Sequence, residues 1–180
     1  MEHIDILDKD GNKKGITKTK SEIHKNGDWH RASLVWIINS RNELLIQRRS
    51  PAKENCPNLW DISASGHISA GEDSTASALR ETWEELGLKL NKEDLQYLFS
   101  TIEQVVLNDG TYVDNEIQDV YLVRKDVDVS NMRIQKEEVA EVKFIDFRQL
   151  KKMITNNVSI FVPHTEEYKK LFEFLEKSTK

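Results

Sequence analysis

Residues 66–88, GHISAGEDSTASALRETWEELGL, constrain this chain more than any other stretch, because glycines, one arginine and clustered carboxylates recur there at spacings that chemistry requires. From about Asp73 to Leu86 the apolar residues Ala76, Leu79, Trp83 and Leu86 recur at three- and four-residue steps, which predicts an amphipathic helix with these four on its buried stripe. Asp73 is placed to cap its start, and Gly87 to end it as a residue that accepts positive φ. Gly66 and Gly71 flank the loop before the helix, where backbone can approach a phosphate or adopt positive φ. Glu81, Glu84 and Glu85 fall on the side opposite the apolar stripe, and Glu81 and Glu85 are one turn apart.

Carboxylates that close repel one another unless a cation joins them. Hard divalent ions such as Mg2+ or Mn2+ prefer carboxylate oxygens and keep waters or substrate phosphates as further ligands. A lone acidic run on a helix is more often a solvated face. Here the flanking glycines and Arg80 favour a metal and diphosphate site.

The spacing also carries a family resemblance. Gly66, then Glu72, Arg80-Glu81, Glu84-Glu85 and Gly87-Leu88, at these intervals, resembles the signature of the Nudix hydrolases over its full length. Thr82 departs from it, standing where the family usually has an aliphatic residue that packs beneath the helix. The resemblance implies that Glu81, Glu84 and Glu85, with Gly66, hold the metal. It also implies that Arg80 braces Glu72 and the loop through a charge-assisted hydrogen bond.

The 180 residues, 38% hydrophobic, suffice for one domain with a substantial core. A net charge of −5 gives no attraction toward nucleic acid or an anionic membrane, and neither is expected as a partner. Cys56 is the only cysteine, which excludes an internal disulfide. No apolar run is long enough to span a bilayer, and the polar MEHIDILDKD start is unlike a secretory signal, so the expected location is cytoplasmic.

Residues 1–29 read as a small hairpin extension with Ile4, Ile6 and Ile16 alternating, appended to a core of residues 30–180. Its exposed edge is a candidate contact with a second copy of the chain, as in a homodimer. HRASLVWIIN and LLIQRR read as a central hairpin, and LWDISAS as a strand leading into the glycine loop. Two later strand-like stretches flank Asn108-Asp109-Gly110, a strong hairpin signal, and EEVAEVKFIDF follows as another strand. FRQLKKMITNN and TEEYKKLFEFLEK have helical spacing, the latter packing Tyr168, Leu171, Phe172 and Leu175 against the sheet. This order favours an α+β fold, a mixed β-sheet flanked by helices. The resemblance narrows it to the α/β/α sandwich of the Nudix fold.

Outside the signature, Arg48 and Arg49 end a strand near the expected cleft and offer guanidinium forks to substrate phosphates, though alternation turns only one inward. In this family a glutamate from a late loop often activates water, and Glu138 ranks above Glu137 and Glu141 for that role. A solvated loop charge is an equal alternative. Trp29, Trp36 and Tyr112 suit either a base or prenyl pocket, or the core.

Residues 29–67, with Asp114-Asn115-Glu116 later, resemble the isopentenyl-diphosphate isomerase branch of the superfamily. Those isomerases hold a metal with histidines and two acidic residues, and His30, His67, Asp114 and Glu116 match, with His24 a looser fit. His67 and Glu116 are thereby candidate substrate-site residues as well. His3 and His164 are taken as structural or exposed. The catalytic cysteine of the isomerases would fall at Ser65, and a serine hydroxyl is a poor substitute in proton transfer at carbon. The expected activity is therefore metal-dependent hydrolysis of a small-molecule diphosphate of nucleoside or isoprenoid type. Glu81, Glu84 or Glu138 would then handle the proton. An isomerase and a non-catalytic ligand-binding domain are the alternatives.

Overall fold

A computed structural model describes residues 2–156 and 159–178. Among these, nine strands form one mixed sheet. β1 (His3–Leu7) and β2 (Lys13–Thr19) form the expected N-terminal hairpin. It is more than an appendage, because Leu7 pairs with Trp29 and joins it to the main sheet. Ile4 and Ile6 are buried with Ile23 in a small cluster, whereas Ile16 is exposed. Ile23 belongs to an unforeseen helix, α1 (Lys20–Asn26), started by a Thr19–Glu22 capping box and ended by Gly27 at φ 67°.

β3 (Trp29–Ile38) is the central strand. It pairs in parallel with β8 (Tyr112–Arg124) along its whole length, and antiparallel with β4 (Glu43–Arg49) and β6 (Ala64–His67). Its apolar run is continuous because both faces are covered. Ala32, Leu34, Trp36 and Ile38 pack toward α3 (Phe147–Thr155) and α4 (Thr165–Ser178), while Val35 and Ile37 pack with Ala78 and Leu86 of α2 (Ser74–Leu86). Trp36 is thus core, its indole N–H given to Glu167. Tyr168, Leu171, Phe172 and Leu175 are buried as their spacing predicts. Asn157, at the end of the stretch read as the first of these two helices, lies outside the described residues.

LWDISAS does not form one strand. It divides into β5 (Trp60–Asp61) and β6, with buried Ser63 accepting from Ile37 N and donating to Leu45 O where ladder bonds would otherwise run. β7 (Gln96–Leu107) and β8 form the hairpin around Asn108–Gly110, and β9 (Val139–Asp146) pairs with β4. No helix among the described residues is long and apolar enough to cross a membrane.

Candidate active site

The helix that carries the acidic residues is capped as its sequence dictates, by Asp73 on Ala76 N and by Gly87 at φ 69°. Its buried face differs from the expected one. Ala76 is exposed and Trp83 is 54% exposed, while Ser77, Ala78, Thr82, Glu85 and Leu86 are buried. Thr82 fits beneath the helix because its hydroxyl donates to Ala78 O at 2.7 Å, which satisfies the polar group that an aliphatic residue would lack. Glu81 and Glu85 point into the fold rather than away from it.

Glu85 Oε2 accepts from Ser65 N at 3.2 Å and from Gln47 Nε2 at 3.0 Å. Gly66 lies against Glu81 so closely that an added Cβ would fall 2.0 Å from its carboxyl carbon. Arg80 grips Glu72 with Nε and Nη2 at 3.1 and 2.9 Å, reaches Glu81 and Glu84 with Nη1 at 2.6 and 3.2 Å, and donates to His67 O at 3.1 Å. Burial raises Glu81 to about 7, with Arg80 opposing and Glu84 adding. Burial and then the neighbouring Glu81 raise Glu85 to about 8. The site therefore holds protons at neutral pH that a divalent cation would displace.

A second cluster gathers beside it. α1 supplies His24, β3 His30, β6 His67, and β8 Asp114 and Glu116. Asp28 O fixes His30 Nδ1 at 3.0 Å and leaves Nε2 3.4 Å from Asp114 and 3.5 Å from Glu116. His67 Nε2 is 3.6 Å from Glu116, and His24 Nδ1 is 3.7 Å from Asp114. Both nitrogens of His24, Nε2 of His30 and Oδ1 of Asp114 are buried without a hydrogen-bond partner among the described residues. Burial, with His30 nearby, lowers His24 to about 4, and burial next to Glu116 raises Asp114 to about 7.

The second cluster borders a cavity of about 350 Å³ through His67, Asp114 and Glu116, and the first lies behind its wall, where Ser65 touches Glu85 and Gly66 touches Glu81. Lys20, Lys53 and Tyr112 also line it. Tyr112 stacks on His24 with ring centroids 4.1 Å apart. Arg49 faces the cavity, bound to Asp61 and to Asn55 O, while Arg48 pairs with Glu141 and does not line it. Glu138 is ion-paired with Lys53, which holds its pKa below the usual carboxylate value against the effect of burial. Glu137 also lines the cavity.

Three lining residues had no signal in the sequence. The backbone of residues 160–162 pairs with Trp60, which brings His164 over Asp61. His164 Nε2 is 2.9 Å from Asp61 Oδ1, and Nδ1 is 3.2 Å from Glu103 Oε2. His164 is thus neither exposed nor isolated. Burial opposes both charges, but the pairing holds Asp61 below its ordinary 3.8 and His164 well above its ordinary 6.5. The Asp61 contribution to stability is therefore lost as pH falls through its lowered value, and that of His164 as pH rises through its raised value. Asp61→Asn is expected to cost about 3 kcal/mol, as for breaking a buried ion pair. In thermal melts the cost is full between pH 3.8 and 6.5 and shrinks at either extreme. A melting difference that did not vary with pH would contradict this pairing.

The NUDIX domain family model matches residues 28–164. Nudix hydrolase 3 of Arabidopsis thaliana is 41% identical over 179 residues, covering 97% of this chain, which spans only 23% of that protein's length. An isopentenyl-diphosphate delta-isomerase of Photorhabdus laumondii is 30% identical over 164 residues, 91% of this chain and 90% of that one. A crystal structure from Deinococcus radiodurans superposes with a TM-score of 0.71 at 18% identity, over 94% of this chain and 98% of that one, which supports the fold. The chain belongs to the Nudix hydrolases, in the part of the family that it shares with the isopentenyl-diphosphate isomerases.

Proposed function

We propose that the protein hydrolyses a diphosphate linkage in a small molecule of nucleoside- or isoprenoid-diphosphate type, with Mg2+ or Mn2+ as cofactor. The observation that carries this reading is the pair of carboxyls formed by half-buried Glu81 and buried Glu85. Burial raises both, and the residues that touch them, Ser65 and Gly66, line a cavity that presents Lys20, Arg49 and Lys53. Glu85 receives only neutral donors and Glu81 a single guanidinium, and a hard divalent ion would stabilise the charge of both. Glu81, Glu85 and the more exposed Glu84 would hold such an ion once Arg80 yields its contacts with Glu81 and Glu84, with the Gly66 backbone pressed against Glu81. A metal there supplies charge neutralisation at phosphate oxygens and a lower pKa for the attacking water.

The chain's own groups do the rest. Lys20 and Lys53 attract and orient the diphosphate, Arg80 with Glu72 holds the glutamates in register, and Glu138, ionised beside Lys53, accepts the proton from water. The histidine cluster would suit a second, transition-metal ion, because ligand atoms of His24, His30 and His67 lie within 4.8 Å of one another, as do those of His30, Asp114 and Glu116. It is also the observation that favours isomerisation as a second reading. Against that stands Ser65, which lines the cavity with a hydroxyl, a poor substitute for a thiol in proton transfer at carbon.

The test is to incubate the protein with Mg2+ and a panel of nucleoside and isoprenoid diphosphates, following phosphate release and product identity. Metal-dependent release is expected. Isomerised prenyl product without release would restore the isomerase reading, and binding without turnover would leave a ligand-binding domain.

A further inference from the structure

The cavity exposes one set of charges that hydrolysis does not use. Glu103 on β7 faces Glu116 directly across the β7–β8 ladder, and like charges so placed repel. Gln118 resolves the conflict by donating its two amide hydrogens separately, to Glu103 Oε2 at 3.1 Å and to Glu116 Oε2 at 2.9 Å. Thr101 Oγ1 donates to Gln118 Oε1 at 3.1 Å, which leaves the amide one orientation. On its other side Glu103 Oε2 accepts from His164 Nδ1 at 3.2 Å, and His164 is itself anchored on Asp61, which Arg49 completes at 2.9 Å. Glu103 is thus a rigid carboxylate. Both donors meet Oε2, Oε1 receives none among the described residues, and the side chain, 23% exposed, lines the cavity.

The charges divide this cavity by chemistry. Lys20 and Lys53 would draw a diphosphate, and Glu103 would repel it. What lies against Glu103 is therefore the organic half of the substrate. A bare hydrocarbon would strip water from Oε1 and return nothing, whereas a hydroxyl would replace that water with a charge-assisted hydrogen bond. Resting on the hydrolase reading above, we propose that Glu103, held by Gln118 and His164, is a specificity-determining residue that accepts a hydrogen bond from a hydroxyl on the organic group of the diphosphate ester.

Two ligands with the same five-carbon chain decide the matter, n-pentyl diphosphate and its hydroxylated counterpart ribityl diphosphate. Their dissociation constants are measured by calorimetry with Ca2+ for the wild type, Glu103→Gln and Glu103→Leu, and phosphate release is followed separately with Mg2+. The wild type is expected to bind the ribityl compound at least about tenfold more tightly, the size of one hydrogen bond to a charged acceptor. Glu103→Gln, whose amide oxygen still accepts, should keep part of that preference, and Glu103→Leu should lose it. Equal affinities in the wild type, tighter binding of the pentyl compound, or a preference that survives Glu103→Leu would overturn the proposal. Should the leucine variant not fold, the wild-type and glutamine comparisons still decide. Preferential binding without phosphate release would sink the hydrolase reading and leave this subsite standing, and release with equal affinities would do the reverse.

Discussion

Glu85→Gln is expected to lower phosphate release by about a thousandfold while leaving the fold intact, since a metal's charge stabilisation in such a site amounts to several kcal/mol. The amide oxygen of glutamine can still accept from Ser65 N and Gln47 Nε2, the two donors that seat the native side chain. It cannot bring a negative charge to a cation. Because burial raises Glu85 to about 8, the metal-free protein carries it protonated at neutral pH, and glutamine imitates that form. The raised value also sets a sign. A carboxyl whose folded pKa lies above its ordinary 4.5 costs stability as pH rises between the two values. Melting of the metal-free wild type should therefore fall between pH 4.5 and 8, more steeply than in the variant. Added Mg2+ should raise the wild-type melting temperature most at the alkaline end and the variant's hardly at all. A variant with a tenth or more of native turnover would remove Glu85 from the site.

Gly66→Ala should be nearly as damaging, by a different route. Its Cβ would meet the Glu81 carboxyl carbon at 2.0 Å and the two oxygens at 2.1 and 2.5 Å. Glu81 has nowhere to go without breaking the 2.6 Å bond to Arg80 Nη1 and leaving its place beside Glu85. Overpacking of this kind costs about 1–3 kcal/mol of stability, which a folded protein can survive. Displacement of a metal-binding carboxylate is expected to cost about a hundredfold or more in turnover. Circular dichroism together with a metal titration of activity separates the two effects. Gly71 supplies the contrast, since its φ of 80° demands glycine but nothing lies within 4 Å of an added Cβ. Gly71→Ala should cost about 1 kcal/mol and little activity. Equal damage at both glycines would mean that space around Glu81 does not matter.

The helix and its caps were legible because the interactions that make them are local. Asp73 reaches Ala76 N three residues on, and Gly87 answers a carbonyl four residues back. The NDG turn and the stripe of α4 were legible for the same reason. α1 was missed because seven residues with two apolar contacts carry too weak a periodicity, and its stability comes from Ile23 packing on Ile4 and Ile6. The inward face of α2 was misjudged on one principle. Periodicity assumes that apolar residues are the buried ones, and this helix buries Glu85 and exposes Trp83 because its inner face serves a site.

The signature, the identity of the acidic residues and the hairpins were readable from the residues alone, since all of them depend on spacings within a few turns or one loop. Packing of the whole sheet turns Arg49 rather than Arg48 to the cavity and brings His24 of α1 to four residues from three strands. It alone brought His164 onto Asp61 and Glu103, 103 and 61 positions away. Such distances are set by the parallel β3–β8 register and the pairing of residues 160–162 with β5, which arise from burial of both sheet faces at once. No single residue in those contacts carries a mark of its partner, because the energy that joins them belongs to the packed sheet and not to any local stretch of chain.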